Sequence, residues 1–168
     1  EREQSPKLFT TLSTTTRKIT LKNSEVLISD TVGFISKLPS YMVAAFKSTL
    51  EELVYTDVVI VVIDIGDDIL ELKKKFRSCI STLDEIGVSK DKMIFVLNKS
   101  DLISKEEIAE RAKELGMDEY KKWLPVSSTT RYNINQLKTL VYEMIDAIPI
   151  TGRKTEIPKP QKQRKFQR

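Results

Sequence analysis

Two hydrophobic periods alternate along this chain. Residues 17–21 and 25–29 read as short strands joined by the polar turn Lys22-Asn23-Ser24. Pro39 opens a helix that carries Val43, Phe46, Leu50 and Leu53 on one face. The unbroken β-branched run at 58–63 then predicts a strand buried on both faces. Ile69, Leu72, Phe76, Cys79/Ile80, Leu83 and Ile86 fall at helical spacing, and Gly87 stops that helix. Residues 93–97 predict a second buried strand. Ser104-Lys105-Glu106-Glu107 is a capping box for a helix that ends at Gly116, and 124–127 gives a last short strand. Ile134, Leu137, Leu140, Val141, Met144, Ile145 and Ile148 form the stripe of a final helix that stops before Pro149. Strands and helices in alternation imply an α/β fold, a mostly parallel sheet with helices on both faces.

In such sheets ligands bind beyond the carboxyl ends of the strands. Three polar motifs occupy those ends: Asp30-Thr31-Val32-Gly33, Asn98-Lys99-Ser100-Asp101 and Val126-Ser127-Ser128. Each suits one part of a guanine nucleotide. A strand-ending Asp30 can hold Mg²⁺ through water, and the Gly33 N–H can meet a γ-phosphate, glycine allowing that backbone to swing. The Asp101 carboxylate can accept from guanine N1–H and N2–H₂ together, a pair adenine cannot supply. Asn98 would brace the loops, and the Lys99 stem would pack along the base. Ser127, Ser128 and Thr129 would present a backbone N–H to guanine O6, with Ser127 ordering the turn. Upstream, residues 9–17 are threonine-rich. Thr11 is the preferred direct Mg²⁺ ligand there, with Thr10 and Thr15 as alternatives. Against each motif stands a plain reading as a polar loop after a strand. The order and the shared sheet edge favour the nucleotide reading.

Composition narrows the classes. The 168 residues suffice for one domain with a sizeable core. With no histidine and the single cysteine Cys79, histidine triads, a disulfide within the chain and a cysteine zinc site are excluded, and a reducing cytoplasm is the expected compartment. The run at 58–63 is too short to cross a bilayer, so no membrane partner is expected. Of the net charge of +4, the last eighteen residues hold seven Lys/Arg against the single acid Glu156, leaving 21 basic and 23 acidic residues before them. That basic tail, with Pro158 and Pro160, reads as disordered and able to contact RNA phosphates.

The runs 11–17, Asp30-Thr31-Val32-Gly33-Phe34-Ile35-Ser36-Lys37-Leu38-Pro39 and Ala45-Phe46-Lys47-Ser48-Thr49-Leu50-Glu51-Glu52 closely resemble HflX GTPases, over about residues 8–148. Ser13-Thr14 stands where family members usually carry Asp-Pro, and Ser128 where alanine is more usual. The resemblance implies a P-loop NTPase-like, Ras-like G domain that binds GTP/GDP with Mg²⁺ and hydrolyses GTP, in a cytoplasmic protein acting on the large ribosomal subunit. Phe34 occupies the place where many GTPases carry a water-orienting glutamine, which implies slow intrinsic hydrolysis.

No G-x-x-x-x-G-K-[ST] phosphate loop occurs in the 168 residues. The first strand of the implied fold would lie between the 25–29 and 58–63 strands, so the chain reads as a piece of a longer protein and as inactive alone. Either a further segment fills that gap, or the two strands pair directly. The expected division is a switch-like segment at 1–16, a truncated G domain at 17–149 and a basic disordered tail at 150–168. The alternative is a remnant without a phosphate loop, acting as a non-catalytic protein- or RNA-binding module.

Overall fold

The computed structural model describes residues 15–22, 24–31 and 50–149. The predicted helix from Pro39 lies largely outside these residues, as do Thr11, Val32, Gly33, Phe34 and the basic tail. Within them the α/β expectation holds. Strands β1 (Thr15–Leu21) and β2 (Ser24–Asp30) form an antiparallel hairpin. Strands β3 (Val59–Asp64), β4 (Met93–Asn98) and β5 (Trp123–Pro125) form a parallel sheet in that order. The connecting helices are α1 (Ile69–Glu85), α2 (Lys105–Glu114) and α3 (Ile134–Asp146).

The stops work as their residues predict. Asp68 caps α1 by accepting the amides of Leu70 and Glu71 at 3.0 and 3.2 Å. Gly87, at φ +83°, follows that helix. Ser104 Oγ accepts the Glu107 amide to start α2, and Gly116, at φ +72°, follows its end.

Two apolar layers flank the parallel sheet. On one side Val61, Ile63, Phe95 and Leu97 pack with Leu72, Phe76 and Leu83 of α1 and Ala112 of α2. On the other, Ile94, Val96, Leu124 and Val126 pack with Val141 of α3 and with Leu21, Ile19 and Val26 of the hairpin. The five residues Met93 to Leu97 are all buried, as a central strand with both faces covered requires.

Two expectations are corrected, and one of two alternatives is not seen. The run at 58–63 is not buried on both faces: Val62 is 64% exposed, although Val58 and Ile60 on the same side are half-buried against the layer that holds α3. The last strand ends at Pro125, so Ser127 sits two residues beyond it rather than at its end. Direct pairing of the two strands flanking the expected gap, one of the two alternatives, is not seen: among the described residues β2 bonds only to β1, and β3 only to β4.

Phe95 is 1% exposed, with its ring centroid 5.8 Å from that of Phe76 and 4.3 Å from that of Tyr120. Phe95→Ala should cost about 3–5 kcal/mol, read by urea unfolding followed by circular dichroism. Burial also pushes the Cys79 thiol up from 9.0 to about 11. The unfolded thiol ionises first, so its contribution is complete below about pH 9 and is lost as pH rises through 11. Wild type should lose stability across that interval relative to Cys79→Ala, measured by urea unfolding at each pH.

Candidate functional site

β3 and β4 run in register from Val59↔Met93 to Asp64↔Asn98, so two polar side chains leave adjacent strand ends together. After Asn98 the chain turns sharply. Lys99 takes the left-handed conformation at φ 62°, a cost of roughly 1–2 kcal/mol for a residue with a Cβ. A short 3₁₀ turn, Ser100–Leu102, follows and carries Asp101 exposed at its middle.

Hydrogen bonds from the loop after β5 offset that strain. Ser100, only 6% exposed, donates both its amide (3.1 Å) and its hydroxyl (2.8 Å) to the Val126 carbonyl. The Ser128 amide donates to Asn98 Oδ1 at 3.2 Å. Ser127 is fully buried; its hydroxyl accepts the Thr130 amide at 3.0 Å, and its own amide donates to the Tyr132 carbonyl. Asn133 ties down the far end of this loop, donating from Nδ2 to the Pro125 carbonyl at 2.9 Å. Asn98 and Ser127 thus brace their loops as their residue types predict.

The structure therefore brings Asn98, Lys99 and Asp101 together with Ser127, Ser128 and Thr129, and leaves Asp101, Ser128 and Thr129 exposed beside one another's loops. Asp30 stands apart at the end of β2, exposed, with Thr31 half-buried beyond it. No hydrogen bond or ion pair of the Asp30 side chain occurs among the described residues. Val32, Gly33 and Thr11 lie outside them. No three His, Cys, Asp or Glu side chains gather to hold a metal among the described residues. A single exposed carboxylate such as Asp30 nevertheless suits Mg²⁺, which keeps most of its waters and takes one or two carboxylates plus phosphate oxygens.

Residues absent from the sequence reading also build this edge. Asp64 Oδ2 lies 2.6 Å from Lys99 Nζ, and that contact raises the Lys99 amine above its usual range. Arg111 donates to the carbonyls of Ile65 and Asp67 at 2.7 and 2.6 Å. Lys75 pairs with Asp67 and holds its carboxyl below the usual range. Asp64 carried a usable signal, since it ends its apolar run as Asn98 ends the next. Arg111 carried none, because its acceptors are backbone carbonyls more than forty residues away.

Cavity size does not mark this edge. A groove of about 510 Å³ lies at the opposite ends of the strands, between Asp57, Lys92 and Lys122 on one side and Leu140 and Met144 of α3 on the other. Its lining lacks the convergent strand-end motifs, so the hydrogen-bonded loops are the better guide.

Known proteins resemble the chain along most of its length. Residues 1–99 match the family model described as 50S ribosome-binding GTPase. A protein named GTPase HflX from Methanocaldococcus jannaschii is 37% identical over 149 residues, covering 86% of this chain and 36% of its own length. The protein of the same name from Akkermansia muciniphila is 48% identical over 100 residues, covering 59% of this chain and 22% of its own. The chain thus spans about a third or less of these relatives. Among solved structures, a GTP-binding protein from Sulfolobus solfataricus in complex with GDP superposes with a TM-score of 0.68 at 30% identity, over 79% of this chain and 44% of that one.

Ser100→Ala removes the hydroxyl bond to Val126 and should cost about 0.5–1.5 kcal/mol in urea unfolding. Thr129→Ala, at an exposed position, should stay within about 0.5 kcal/mol of wild type.

Proposed function

We propose, for a chain that belongs to the HflX family of GTPases as a G domain, that the Asn98–Asp101 and Ser127–Thr129 loops read the guanine base of GTP and GDP. The observation that carries this reading is the bracing of the two loops through Ser128 N–Asn98 Oδ1 and the two Ser100 bonds to Val126. Those bonds hold the exposed residues Asp101 and Thr129 in a fixed mutual arrangement before any ligand arrives, which lowers the ordering cost of binding.

Asp101 accepts the two guanine N–H groups. Thr129 supplies the backbone amide for O6, the Ser128 amide being engaged by Asn98, while the Lys99 stem lies against the ring. Asp30, Thr31, Val32 and Gly33 serve the triphosphate end: Asp30 would help hold a Mg²⁺ ion, and Gly33 would meet the γ-phosphate. Thr11 completes the metal's protein ligands. Mg²⁺, when bound, offsets charge on the β- and γ-phosphates during hydrolysis. Phe34 offers no group to orient water, so hydrolysis is slow until backbone groups or a partner do so. A ribosomal partner is supported by the description of the matching family model, and a contact of the basic tail with RNA by its seven cationic residues. A cytoplasmic setting accords with a ribosomal partner. The chain spans about a third of the Methanocaldococcus jannaschii relative, and hydrolysis and ribosome action are proposed for a whole protein of that length.

Calorimetric titration with GDP and with XDP, in Mg²⁺, tests the base-reading step. Wild type should prefer GDP, and Asp101→Asn should reverse that preference by roughly tenfold or more. A folded wild-type chain that binds neither nucleotide, or an Asp101→Asn chain that keeps the GDP preference, overturns the reading.

A further inference from the structure

We infer that Asp64 is a positioning residue of the guanine site, holding the Lys99 side chain and the loop after β3 in place beside the base-reading turn. This deepens the base-reading function proposed above and rests on it. Asp64 uses both oxygens: Oδ2 lies 2.6 Å from Lys99 Nζ, and Oδ1 accepts the Gly66 amide at 3.2 Å. One carboxylate therefore clamps two loops that emerge from neighbouring strands.

The clamp is backed on both sides. The Ile65 amide donates to the Asn98 carbonyl at 3.0 Å, continuing the β3–β4 ladder past the end of the sheet. Arg111 holds the Ile65 and Asp67 carbonyls from the α2 side, and its other terminal nitrogen donates to Glu107 at 2.8 Å. Gly66 comes close to the base-reading turn, where a Cβ built on it would lie 3.4 Å from Leu102 Cδ1. The neighbouring carboxylate, Asp67, is engaged by Lys75, which leaves Asp64 as the acid paired with Lys99.

Stability does not explain the pair. The Lys99 and Asp64 side chains are 53% and 40% exposed, and such pairs contribute little to folding in water. Its effect is on the freedom of a long side chain. A lysine stem that must lie along the base loses rotamer freedom when nucleotide binds, and an amine already held by Asp64 has lost much of it beforehand. Asp64 should then tighten every ligand that uses Lys99 equally. It should leave the choice between guanine and xanthine, made by Asp101, unchanged.

The test combines two readouts on the 168-residue chain and its Asp64→Asn, Asp64→Ala and Asp64→Glu variants. The first is the acylation rate of Lys99 by an N-hydroxysuccinimide ester without nucleotide, followed by peptide mass spectrometry. The second is titration with GDP and XDP. Asp64→Asn and Asp64→Ala should acylate Lys99 several-fold faster than wild type and Asp64→Glu. They should weaken GDP and XDP by the same factor, roughly two- to tenfold. Equal acylation of Lys99 in wild type and a folded Asp64→Asn, or unchanged GDP affinity in that variant, overturns the inference while GDP binding by wild type upholds the base-reading function. A wild type that binds no GDP overturns the base-reading function and the inference with it, even if the loss of Lys99 protection in Asp64→Asn shows that the Asp64–Lys99 contact itself is real.

Discussion

The register of β4 is the constraint from which the rest of the described structure follows. Met93, Phe95 and Leu97 face α1 and α2, while Ile94 and Val96 face α3 and the hairpin, and all five are buried. A slip by one residue would exchange the two sets and expel a phenyl ring from its place against Phe76 and Tyr120. That packing fixes where the strand runs out. Because β3 pairs with β4 residue for residue, Asp64 must arrive beside Asn98. Because β5 pairs through Leu97↔Pro125, and Val126 then donates its amide to Leu97, Ser127 and Ser128 must arrive at Asn98 from the other side. A polar site is thus positioned by hydrophobic side chains that never touch it.

The loops then complete what the strands begin. The left-handed turn at Lys99 points the chain so that Ser100 reaches Val126, and Ser100 satisfies that carbonyl with two donors. Among the described residues no buried side-chain nitrogen or oxygen lacks a partner. Satisfaction matters here because Ser127 and Ser100 are buried polar residues at a sheet edge, where an unmade bond would cost more than a made one contributes. Asp101 and Thr129, by contrast, remain exposed, and among the described residues their side chains make none of the bonds that engage their neighbours. The division of labour is physical: buried polar groups set the loops, and exposed ones are left to meet a ligand.

Features that depend on one segment's own pattern were legible in the sequence. The capping box at Ser104, the stops at Gly87 and Gly116, and the β-branched and apolar runs of β3 and β4 each announce themselves locally. So did the order of the three strand-end motifs, which pointed to a guanine-nucleotide fold before any contact was known. What depended on a neighbour was not legible. The exposure of Val62 is set by what packs against that point of the sheet, which the run at 58–63 cannot encode. β5 ends at Pro125 because the Val126 carbonyl is taken by two Ser100 donors and the Ser127 amide turns to the Tyr132 carbonyl, partners that no local pattern names. Arg111 reaches carbonyls, and a carbonyl has no sequence signature. Asp64 lay between these cases, visible as a strand end but without a partner until the register with Asn98 was fixed.

The two ends of the proposed nucleotide site are held by different forces. The base-reading loops belong to the parallel sheet, where backbone ladders and side-chain bonds within Asp64–Asn133 fix their mutual positions. Asp30 belongs to the hairpin, which shares no ladder with β3 and joins the rest through apolar contacts of Leu21, Ile19 and Val26 and through the Lys22 amine 4.2 Å from the Tyr142 ring centre. Apolar contact is non-directional. It holds the hairpin against α3 without setting its register, whereas a hydrogen-bonded ladder would set both. Base recognition is therefore built into the fold of the parallel sheet itself. Among the described residues one edge of β2 and one edge of β3 carry no ladder partner, and Leu27, Ile28 and Val62 expose apolar surface on these strands. Reading a base and sensing a phosphate thus place separate demands on the chain, and only the first is met by bonds internal to the described residues.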